Sequence, residues 1–166
     1  MLRFSALILA GLLAVSASAN PTQNLDKVGS AKLRVFLWNI YESALYSPSG
    51  DFQGIVPGLA LEIEYKRNIS KKAFINYTRE EWQKQSLYKD ESERWLADLR
   101  QIFPSVRKGD RLVLKVAGSL SSEFYFNDEF IGEINNASFT NEFLAIWLSK
   151  QSSYPELRDQ LVGDTR

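Results

Sequence analysis

The chain has no histidine and no cysteine, and its acidic and basic residues balance at 20 each. Without histidine there is no ordinary acid–base group for neutral pH, and without either residue no common zinc site. The lack of cysteine also removes the thiolate nucleophile, disulfide stapling and the attachment point of a bacterial lipoprotein anchor. No basic excess is available for a phosphate backbone, so nucleic acid is not an expected partner. Glycine-rich phosphate loops, Walker patterns and G-x-S-x-G elbows are missing as well. The adjacent carboxylates Glu80-Glu81 and Asp128-Glu129 read as solvated surface, since acids are rarely buried. These absences argue against protease, kinase and metalloenzyme chemistry, and no cofactor or metal is expected.

Long apolar runs are also scarce. The longest, Phe4–Val15, falls short of the roughly 20 residues that span a bilayer. Arg3 precedes it and Ala17-Ser18-Ala19 follows it, which is the grammar of a cleaved secretory signal. The reading is a signal peptide over residues 1–19, cleaved between Ala19 and Asn20, and a single domain over 20–166 with no stable membrane anchor. An exported domain without cysteine must stand on its core alone, which suits a bacterial periplasm.

What is present is strongly patterned. Val28–Tyr46 is rich in β-branched and aromatic residues and reads as a bent strand or hairpin, closed by a turn at Pro48-Ser49-Gly50. Leu59–Arg67 alternates apolar and charged residues, as a half-buried antiparallel strand does. Ser70 is placed to cap a helix over 71–86, and Asp90 with Glu93 opens a second one that ends at Pro104. Three strands are expected at 111–116, 123–126 and 130–134, with Asn127 and Asp128 in the turn between the last two. A helix over 139–148 and a short one from Pro155 to Gly163 complete the chain. This order gives an α+β fold, an antiparallel sheet covered on one face by helices.

Two stretches bear on a site. In VFLWNIYESALYS (35–47), a single strand parity puts Leu33, Val35, Leu37 and Tyr41 on one face and Arg34, Phe36 and Trp38 on the other. Two apolar faces imply a strand covered on both sides, with Tyr41 as the pocket candidate. In LEIEYKR (61–67) the parity that turns Leu61, Ile63 and Tyr65 inward also turns Arg67 inward. A buried guanidinium needs a partner, either a structural one at the strand end or a ligand.

Several blocks together resemble the chalcone isomerase-like family, in particular its exported bacterial branch. They are VGSAKLRVFLWNIYESALYSPSG with Tyr41 and Tyr46, LALEIEYKRNI with the helix ending EEW, WLADLRQIFPSVRKGDRLVL, FYFNDEFIGEI and FLAIWLS with PELRDQLVG. The resemblance implies an open-faced sandwich with a ligand cleft between sheet and helices. Plant members of this family cyclise chalcones, while others bind fatty acids through an Arg and a Tyr. Tyr41 matches the tyrosine of the binders. The binders' Arg falls by spacing at Val28 or Gly29, with Lys27, Lys32 and Arg34 near but off register. The candidate ligand-binding residues are Tyr41 from the resemblance, Arg67 from its strand parity, and Arg34 and Tyr77 from their positions near the implied site, and none is assigned a catalytic role. The function implied first is non-catalytic binding of a small apolar or fatty-acid-like carboxylate. The alternatives are an intramolecular lyase of the isomerase type and a structural or partner-interaction module, with no protein partner identified.

Overall fold

The computed structural model describes residues 20–164, so the expected signal segment, residues 1–19 with Ala19, lies outside the described residues. Strands β1 (Asp26–Val35) and β2 (Trp38–Ser47) form a hairpin, and β3 (Ala60–Tyr65) follows after the Pro48–Gly50 turn. Helices α1 (Lys71–Lys84) and α2 (Ser92–Ile102) come next, then β4 (Arg111–Val116), β5 (Ser122–Phe126) and β6 (Glu129–Ile134). Helices α3 (Ala137–Leu148) and α4 (Pro155–Val162) close the fold. The six strands lie side by side in chain order, every neighbouring pair antiparallel. This is the open-faced α+β sandwich expected from the sequence.

Local chemistry sets the element ends. The Ser70 side chain accepts the Ala73 N–H at the start of α1, and Asn136 does the same for Phe139 at the start of α3. Pro155 occupies the first turn of α4, and Gly163 ends it at φ 78°, a left-handed conformation that glycine adopts without cost. Alternation in β3 sends Leu61, Ile63 and Tyr65 towards the helices, with Glu62 and Glu64 on the opposite face. That opposite face is charged but paired within itself. Glu42 binds Lys32 at 2.9 Å and Lys66 at 3.2 Å, and Arg111 binds Glu62 at 2.8 Å.

Between sheet and helices lies an aromatic layer. Phe74 stacks on Phe103 at 4.5 Å, Phe139 on Phe143 at 5.4 Å, and Phe124 from β5 meets Phe103 edge-on at 4.9 Å. Trp82 is fully buried and donates from its indole N–H to the Glu142 carbonyl at 2.9 Å, tying α1 to α3. The cavity left in this layer, between β3, β4 and Phe74, Phe103 and Phe143, is only about 20 Å³. That is room for a single water and no more.

Three expectations are corrected. The stretch 35–38 is not core: a two-residue turn at Phe36–Leu37 splits it between two strands, so one parity does not run through it. Val35, Phe36, Leu37 and Trp38 are all exposed. The alternation of β3 ends at Tyr65, so Arg67 lies beyond the strand and is exposed rather than inward-facing. Glu81 is fully buried, not solvated surface.

Helix α4 packs so closely on β1 that Gly29 has no room for a side chain. A Cβ there would lie 2.1 Å from the Gln160 carbonyl oxygen and 2.6 Å from that of Leu161, both backbone atoms that cannot rotate away. Gly29→Ala should therefore destabilise the fold by about 3 kcal/mol or more, by prising α4 from the sheet edge. Urea denaturation checks this, and a cost below about 1 kcal/mol would show that α4 docks less tightly.

Candidate functional site

The polar part of the interior gathers on the β1–β3 side of the layer. Tyr41 projects from β2 and is buried, and its hydroxyl accepts the Trp147 indole N–H from α3 at 2.9 Å. Tyr65 on β3 meets the Tyr41 ring edge-on, 6.4 Å between centres. Tyr77 comes from α1, close enough to feel Tyr41, Tyr65, Tyr154 and Glu81 electrostatically. One turn further along α1 is Glu81, at 0% exposure. Its two oxygens accept from Lys84 Nζ at 2.8 Å and from Ser153 Oγ at 2.6 Å. These two bonds supply the compensation that a buried carboxylate requires. Gln85, a turn beyond, is buried too, and its side-chain amide has no hydrogen-bond partner among the described residues.

The electrostatics follow from burial. Desolvation pushes the phenols of Tyr41, Tyr65 and Tyr77 far above the usual tyrosine value, and neighbouring Tyr41, Glu81 and Tyr154 add to the effect at Tyr77. The Trp147 hydrogen bond draws Tyr41 back only in part. At neutral pH these groups are protonated hydrogen-bonding partners, not bases.

The tyrosine cluster adjoins the surface at the β1–α4 edge. A groove of about 400 Å³ opens there, lined among others by Lys32, Leu33, Arg34, Ser153, Tyr154 and Leu157. Ser153 and Tyr154 are shared between groove and cluster, the first through Glu81 and the second through its field at Tyr41 and Tyr77. Lys32 and Arg34 flank Leu33 in this lining, Tyr154 and Leu157 add apolar surface, and Glu156 contributes one carboxylate. The volume lies within the usual range for small-molecule sites.

Of the residues singled out from sequence, Tyr41 and Tyr77 meet in the interior cluster, and Arg34 lines the groove. Arg67 is not with them: its guanidinium lies over the Trp38 ring, 4.5 Å from the centre, at the hairpin tip. Asn20 is exposed and its side chain accepts from the Thr22 amide at 3.0 Å. Glu81, Ser153 and Tyr154 escaped sequence reading. Glu81 alone had a signal, since it falls at helical spacing with Phe74, Thr78, Trp82 and Gln85. Among the described residues no group of three acidic side chains could hold a metal, and no helix is long and apolar enough to cross a membrane.

Comparison with known proteins agrees with the architecture. A family model described as chalcone isomerase-like matches residues 16–163. An uncharacterized protein of Haemophilus influenzae is 26% identical over 149 residues, covering 90% of this chain and 73% of that one. The crystal structure of a fatty-acid binding protein from Arabidopsis thaliana superposes with a TM-score of 0.67 at 8% identity. It covers 86% of this chain and 88% of its own. At that identity the likeness carries the fold alone.

The buried phenols make stability fall at alkaline pH. Below about pH 10 they are protonated in both folded and unfolded chains, and their burial is fully tolerated. As the pH climbs from there towards the raised folded values, the unfolded chain releases protons that the folded one retains. Each such phenol then removes up to about 1.4 kcal/mol per pH unit. An absorbance titration should show Tyr41, Tyr65 and Tyr77 silent until the chain unfolds. Reversible ionisation of all seven tyrosines near pH 10 with the fold intact would contradict this burial.

Proposed function

The chain belongs to the chalcone isomerase-like family, and we propose that it is a non-catalytic binder of a small apolar, fatty-acid-like carboxylate. The observation that carries the reading is the groove at the β1–α4 edge. It combines Lys32 and Arg34 with Leu33, Tyr154 and Leu157 in about 400 Å³, two cations against the single carboxylate of Glu156, and adjoins the buried tyrosine cluster. In this arrangement Arg34 takes the carboxylate and the acyl chain lies along Leu33 and Leu157. A guanidinium suits that task because two parallel N–H groups match a carboxylate. Lys32 contributes less, being paired with Glu42 at 2.9 Å. The fully buried Glu81 would repel an anion placed deeper, which keeps the head group at the rim.

Two further supports come from elsewhere. The related Arabidopsis structure is of a protein described as fatty-acid binding. The interior offers no ready base, because the phenols are held protonated and Glu81 is held by Lys84 and Ser153. We further propose that the protein acts in the periplasm, as a member of the exported bacterial branch, on the strength of its N-terminal signal pattern.

The test uses chain recovered from a periplasmic extract of the native host, whose intact mass should correspond to a start at Asn20. Displacement of a fluorescent fatty acid should give saturable binding, weakened about ten- to a hundredfold by Arg34→Gln. The corresponding long-chain alcohol should be insensitive to that change. Absence of saturable binding would refute the ligand reading, and full-length chain in the cytosol would refute the compartment.

A further inference from the structure

The β1–β2 hairpin ends in four consecutive exposed apolar residues. Phe36 is 95% exposed and Leu37 98%, flanked by the partly exposed Val35 and Trp38. No folding requirement explains them. Phe36 holds φ at +54°, at the first position of a two-residue hairpin turn, where glycine is the favoured residue and a bulky one is strained. The chain keeps a phenylalanine at a position where a glycine would fold more easily and expose less apolar surface.

The tip also projects past its neighbour. The β2–β3 register stops at Tyr41 opposite Tyr65, with one further bond from the Lys66 N–H to the Ile40 carbonyl. Beyond that point β3 does not flank the turn. At its base the charge is positive. Arg67 lies over the Trp38 ring, Arg34 stands on β1, and residues 66–72, KRNISKK, carry four cations and no acid. The loop with Arg107 and Lys108 lies alongside, joined through Ile69 and Val106 and by the Lys108 amide to Asn68 Oδ1 at 2.9 Å. The acids near this end are already engaged. Glu42 and Glu64 hold Lys66, and Asp110 accepts from the Arg107 amide and from Asn127.

We propose that this tip is a membrane-docking element that enters the headgroup region of a bilayer rich in anionic lipid. The shape is convex and narrow, with Phe36 and Leu37 at the apex to reach the acyl boundary. Trp38 stands at the shoulder, as tryptophan does at membrane interfaces. The surrounding Arg and Lys side chains complement anionic headgroups without requiring a fixed partner geometry. Four residues reach interfacial depth and do not span, so docking is reversible. This inference rests on the hairpin tip and the cations of residues 66–72 and 107–108 beside it, and it holds without Arg34, the residue it shares with the ligand groove.

Trp38 gives the experiment its probe, because Trp82, Trp95 and Trp147 are all buried. Mature protein is mixed with vesicles of phosphatidylethanolamine and phosphatidylglycerol, or of phosphatidylcholine alone. The expected result is a blue shift of emission and co-flotation on the anionic vesicles, lost in the Trp38→Phe emission signal and weakened by added salt. Phe36→Gly combined with Leu37→Ser should bind those vesicles about tenfold less or weaker still. Its melting temperature should be equal to or higher than that of the parent, which separates docking from folding. The proposal is overturned if the parent neither shifts nor floats, or if the double variant binds vesicles as well as the parent. Loss of a protein cross-link in the double variant, with vesicle binding absent in both, would overturn it in favour of a protein partner.

Discussion

The backbone of α4 rests directly on the backbone of β1 at Gly29, and the geometry of the β1–α4 edge follows from that contact. β1 is an edge strand of the sheet, and α4 packs on its face so closely that the Gln160 and Leu161 carbonyls stand where a side chain at Gly29 would go. Helix α4 is fixed at its other contacts too. The Arg158 Nε donates to the Leu148 carbonyl at 3.3 Å, linking it to the end of α3. The connection between α3 and α4 is held by the Ser152 hydroxyl, which donates to the Ile146 carbonyl at 2.8 Å. Ser153 and Tyr154 therefore arrive at a defined place, one on Glu81 and the other beside Leu33 and Arg34. The groove is a consequence of how a short helix closes a strand edge.

The layer beneath the helices divides into two halves with different roles. On the β4–β6 side, phenylalanines pack face to face and edge to face and leave almost no volume. On the β1–β3 side the same layer contains tyrosines, a buried carboxylate and an unpartnered amide. Buried polar groups stabilise less than well-packed apolar ones of equal size, so folding alone does not call for them there. A ligand that approaches from the β1–α4 edge meets the polar half first and the closed aromatic half only behind it. The division is what the proposed binding mode needs, a head group at the rim and no anion in the interior.

Most of the architecture was legible in sequence because its signals were local. Ser70 as a cap, the alternation of Leu61, Ile63 and Tyr65, and Pro155 with Gly163 around α4 each report on a few neighbouring residues. Local rules fail where the chain leaves the element that they describe. Strand parity does not run through Phe36–Leu37, because the chain reverses there at a turn with no glycine or asparagine to mark it. Nor does parity reach Arg67, which lies two residues past the last paired residue of β3. Residue type alone puts Glu81 at the surface, whereas its helical spacing with Thr78, Trp82 and Gln85 points it inward. Ser153 and Tyr154 carry no local signal, since their place depends on the long-range docking of α4 on β1.

The central claim is that the β1–α4 edge takes the ligand, with its head group at Arg34. A crystal structure of the mature chain with a bound long-chain fatty acid tests this most directly. The expected result is an acyl chain between Leu33, Tyr154 and Leu157, and a carboxylate within hydrogen-bonding distance of the Arg34 guanidinium. A fatty acid bound instead on the outer charged face of the sheet, or among the phenylalanines between β4 and α2 with Arg34 free in solvent, would contradict it.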